Sequence, residues 1–93
     1  MTKLNRVILI SVAALLGAAV TTSAMAAPEP ICRNYAQLAV SQYGSMQNLN
    51  LGCQGFRWHA WYDGHYLWCR DVSKESAQSE IFARKRTLFS GQC

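Results

Sequence analysis

Residues 56–70, FRWHAWYDGHYLWCR, gather most of the side chains in this chain that could do chemistry. They hold all three tryptophans, both histidines and one of the four cysteines. Imidazoles ligate metals or carry protons. A cysteine can be a nucleophile, a ligand or half of a disulfide. Aromatic rings with polar tips stack on sugar rings or anchor protein interfaces. Neighbouring residues decide among these chemistries.

Catalysis fits worst. Four cysteines in an exported chain pair off, leaving no free thiol as a nucleophile. No serine lies in a GxSxG context. Glycoside hydrolysis needs two carboxyl groups ~5–10 Å apart across a cleft. Here Asp63 belongs to a turn, Asp71 ends a strand, and Glu75 and Glu80 read as solvated helix positions. No catalytic residue and no cofactor is expected, and the chain is read as a non-enzyme.

The Asp63-Gly64 pair between aromatic runs predicts a type I′ β-hairpin. Counting back from that turn, Phe56, Trp58, Ala60, Tyr62, His65, Leu67 and Cys69 share one face. Arg57, His59, Trp61, Tyr66, Trp68 and Arg70 share the other. The first face, with the cysteine and the aliphatics, is expected to be core. On that register His59 and His65 point to opposite sides, so no metal site is expected. The second face forms a candidate ligand-binding platform of His59, Trp61, Tyr66 and Trp68, rimmed by Arg57 and Arg70. The competing reading is that the hairpin is sandwiched and its tryptophans simply fill a small core. Solvent exposure of Trp61 and Trp68 separates the two.

The elements around this stretch follow from pattern. Residues 1–26 have the form of a secretory signal peptide. Lys3 and Arg6 precede an apolar run over residues 7–20, and Ala24-Met25-Ala26 suits cleavage before Ala27. The run is shorter than the ~20 residues needed to span a bilayer. The remaining residues 27–93 form one domain, with seven basic groups against five acidic, a net of +2. That is too mild for a nucleic-acid surface.

Residues 31–42 carry helix formers with small residues at Ala36 and Ala39, stopped by Gly44. Residues 45–55 read as a loop. Ser73 is a candidate N-cap for a second helix over residues 74–89, with Ala77, Ile81, Phe82, Leu88 and Phe89 as its apolar positions. Gly91 ends that helix. Its Arg84-Lys85-Arg86 cluster reads as a solvated face, or as a patch for an acidic partner.

A domain this small needs staples. Export puts Cys32, Cys53, Cys69 and Cys93 in an oxidising compartment, where they read as two disulfides. The hairpin register disfavours Cys53 with Cys69. That leaves Cys32–Cys53 with Cys69–Cys93, or Cys32–Cys69 with Cys53–Cys93. The second fastens both helices to the hairpin region and is slightly preferred, but both stay open.

The sequence therefore predicts a small α+β domain ordered helix, loop, β-hairpin, helix, in a periplasmic or secreted protein. Its expected function is binding of an envelope glycan or another exported protein through the aromatic hairpin face. The alternative is a protein-binding inhibitor or assembly accessory whose aromatics are core.

Overall fold

The computed structural model describes residues 25–93, and the expected signal peptide lies almost wholly outside them. Three helices make the domain: α1 (Glu29–Asn48), α2 (Tyr62–Arg70) and α3 (Lys74–Ser90). α1 packs against both of the others. Among the described residues there is no sheet; a single bridge pairs Ala26 with Ser73.

The α+β class and the hairpin are thus overturned. Asp63 and Gly64 lie in the first turn of α2, where Asp63 puts negative charge at the positive end of the helix dipole. The same stretch that alternates as a strand also spaces His65 and Cys69 four apart. Helical geometry stacks these two on one face, and both are buried there. Phe56, Ala60, Tyr62 and Leu67, expected in the core on the strand register, are exposed. A nine-residue helix containing glycine is marginal in isolation. Tertiary packing and a covalent bond through Cys69 therefore have to hold it.

That bond is Cys32–Cys69, and the second is Cys53–Cys93, each with Cα atoms 5.5 Å apart. The pairing is the slightly preferred one. However, Cys69 reaches Cys32 from a helix packed on α1, and the hairpin register offered for excluding the rival does not exist.

α1 runs longer than expected at both ends. Pro28 and Pro30 suit its start, since the first turn has no use for their missing N–H groups. Gly44 lies inside the helix and does not stop it. The stop comes later, where Asn50 adopts φ 55° and the Leu51 N–H bonds the Met46 carbonyl. α3 begins as its sequence predicts, with Ser73 Oγ accepting the Ser76 N–H at 3.1 Å. It ends at Gly91 in the left-handed region, φ 74°.

Each disulfide anchors one apolar cluster. Cys32 and Cys69 join Ala27, Tyr35, Ala39 and Ala77, with Tyr66 and Trp68 packed against them. Cys53 joins Met46 and Trp58, with Leu51 and Leu88 alongside. Gln42 and Arg84, at the intervening turns of α1 and α3, are both buried. So the basic triplet does not form one solvated face: Lys85 and Arg86 are exposed, while Arg84 has no exposed surface.

Candidate functional site

The loop over residues 49–61 carries Phe56, Arg57, His59 and Trp61 to the junction of the three helices. There they enclose a cavity of about 170 Å³ with Tyr35 of α1, His65 and Trp68 of α2, and Glu80 and Arg84 of α3. Its lining is mostly aromatic, with Arg57, Glu80 and Arg84 as its charged members.

Helical phase and one glycine set the aromatic wall. Trp68 lies on Tyr35 with ring centroids 5.3 Å apart. The ring of Trp61 lies against the backbone of α2 at Gly64. A Cβ added to Gly64 would overlap that indole, lying 2.8 Å from its Cδ2. Gly64 therefore makes room for the close approach of a ring rather than for a turn. Trp61 nevertheless remains 64% exposed, and Phe56 is 77% exposed.

The two histidines meet here instead of pointing apart. Their rings stack with centroids 3.8 Å apart and planes 7° from parallel. His65 Nε2 lies 3.0 Å from the His59 carbonyl. A carbonyl can only accept, so Nε2 bears the proton. The backbone N–H of Trp61 donates to His59 Nδ1 at 3.1 Å. Burial lowers the His65 pKa below 6.5, with the hydrogen bond to His59 opposing. Two stacked, parallel rings do not aim nitrogens at a common point. Among the described residues no three acidic, histidine or cysteine side chains group as metal ligands.

Three charged side chains complete the site. Arg57 donates twice to Glu80, at 2.8 and 2.9 Å, a bidentate pair. Arg84 donates through Nε to Gln42 Oε1 at 2.6 Å, and the Gln42 amide donates to the Ile81 carbonyl. The Arg84 guanidinium carbon stands 5.0 Å from the Tyr35 ring centroid. Its Nη1 and Nη2 are buried and have no hydrogen-bond partner among the described residues. The nearest carboxylate oxygen, Glu80 Oε1, is 4.0 Å from Nη1 and already serves Arg57. Burial also raises the Tyr35 pKa above 10, with Arg84 pulling it down.

Of the six residues expected to bind ligand, Arg57, His59, Trp61 and Trp68 line the cavity. Tyr66 packs against the first core cluster, and its hydroxyl accepts from Arg70 Nη1 at 3.4 Å. Arg70 is exposed and does not line the cavity. Arg57 and Arg70, expected to rim one platform, therefore do not share a site. Sequence reasoning missed Tyr35, Phe56, Gly64, His65, Glu80 and Arg84. For Arg84 a signal was present. Buried Ala77 and half-buried Ile81 and Leu88 form the inward stripe of α3 with position 84 in its phase, so a charged residue fills a core position. Comparison with family models, with curated proteins and with solved structures finds no match to this chain.

Proposed function

We propose that the chain is an exported, non-enzymatic binding module that receives one ring of an envelope glycan in this cavity. Cleavage before Ala27 would release it into the periplasm or beyond. The observation that carries the reading is the exposed pair Trp61 and Phe56 standing over a cavity with convergent polar groups. Small-ligand sites are typically built this way, apolar walls with a few placed donors and acceptors. A sugar ring presents a C–H face to an indole and hydroxyls to Arg57, Glu80 and the Tyr35 edge. The polar groups already serve one another: Arg57 occupies both Glu80 oxygens, and His65 Nε2 is committed to a backbone carbonyl. This favours holding a ligand over transferring its protons.

Retention on purified cell-wall polysaccharide tests the reading. Trp61→Ala should lose retention while its melting temperature stays within a few degrees of the parent, because the ring is mostly exposed. Gly64→Ala should do the same by pushing the indole off its seat, with a red shift in tryptophan emission. Retention undiminished in both variants would count against the cavity as the binding site.

A further inference from the structure

We infer that the sugar taken by the cavity is an acidic one, its carboxylate received by the free edge of Arg84. This rests on the reading of the cavity as a sugar site and specifies the ligand's charge.

Three observations support it. First, Arg84 is 0% exposed, and both its terminal nitrogens lack a hydrogen-bond partner among the described residues. A guanidinium has five N–H donors in a planar fork. Here Nε is used on Gln42 and the guanidinium also leans on the Tyr35 hydroxyl, but neither Nη1 nor Nη2 makes a well-formed hydrogen bond among the described residues. An arginine kept only for packing would be expected to have its donors satisfied, because an unpartnered buried donor is costly.

Second, the local charges do not balance. Arg57 and Arg84 bring two positive charges to the cavity and Glu80 one negative. Glu80 gives both oxygens to Arg57 and stands 4.0 Å from Arg84. One further anion would neutralise the set.

Third, the unpartnered nitrogens belong to a residue that lines the cavity. Two parallel N–H groups match a carboxylate in bidentate geometry, a match lysine cannot make. Arg84 has no solvent-exposed surface, so the ligand must part the side chains at the mouth to reach it.

The test uses the folded chain with both disulfides and compares two probes by calorimetry: tetragalacturonate and its fully methyl-esterified form. The ester keeps the rings and removes the charge. The acid should bind at least ~10-fold more tightly, the size expected for hydrogen bonds to a charged group. Arg84→Lys should erase most of that preference, lowering the acid's affinity well beyond any change in the ester's. Glu80→Gln should raise the acid-to-ester affinity ratio, because it removes the one negative charge beside Arg84. If Arg84→Lys does not fold, the acid-to-ester ratio of the parent chain still decides. Equal binding of acid and ester overturns the carboxylate assignment and leaves the sugar reading standing. Binding of neither overturns both. An acidic tetrapeptide that competes as well as the acid overturns the assignment to a sugar.

Discussion

Arg84 and Gln42 set the character of this domain at the scale of single residues. They place a polar pair where α1 and α3 would otherwise meet through apolar side chains. Removing one partner should hurt more than removing both. Gln42→Leu strips Arg84 of its Nε hydrogen bond and should destabilise the fold by about 3 kcal/mol in denaturant titrations. Adding Arg84→Met should recover most of that loss, giving a strongly non-additive cycle. His65 gives a second residue-scale prediction. Its pKa is lower folded than unfolded, so the unfolded chain binds the extra proton first. Stability should be full above the ordinary histidine range and fall as pH drops through 6.5 toward the folded value. His65→Gln should flatten that part of the profile. An unchanged pH dependence in His65→Gln would place the titration elsewhere.

At the scale of elements, what could be read from the sequence depended on whether local or tertiary terms decided. α3 was legible because Ser73 caps it and Gly91 ends it, both by local geometry. α1 was legible in kind but not in length, because a glycine without close neighbours, such as Gly44, costs a helix only about 1 kcal/mol. α2 was not legible. Its Asp-Gly pair and aromatic alternation carry a genuine hairpin signal, and only packing against α1 and the Cys32–Cys69 bond reverse it. The candidate site was half legible. Four of six expected residues line the cavity, because they lie on the loop and helix that follow one another in the chain. Their expected partners were wrong, because a period of 3.6 replaced a period of two. Reducing only Cys32–Cys69, through paired serine substitutions, should therefore melt α2 before the rest. Far-UV circular dichroism and amide exchange would register that loss, at a cost of about 4 kcal/mol for a loop of this length. Serine substitution at Cys53 and Cys93 should instead loosen Trp58 and leave α2 protected.

Taken whole, the molecule is two small apolar clusters, each fixed by a disulfide, with a charged cavity at the junction of its helices. Those disulfides belong to an oxidising compartment. No described helix is long and apolar enough to cross a membrane. Covalent staples let a domain of this size tolerate a buried, under-satisfied arginine and an exposed indole, both of which work against stability. The three tryptophans report on this division. Trp58 belongs to the second cluster, Trp68 rests on Tyr35 in the wall, and Trp61 stands at the mouth. The most direct test of the account is an NMR titration that follows the three indole N–H resonances as soluble cell-wall glycan fragments are added. The account predicts that Trp61 and Trp68 shift together and saturably while Trp58 stays in place. Fragments that move no indole at millimolar concentration, or that shift Trp58 alone, would contradict it.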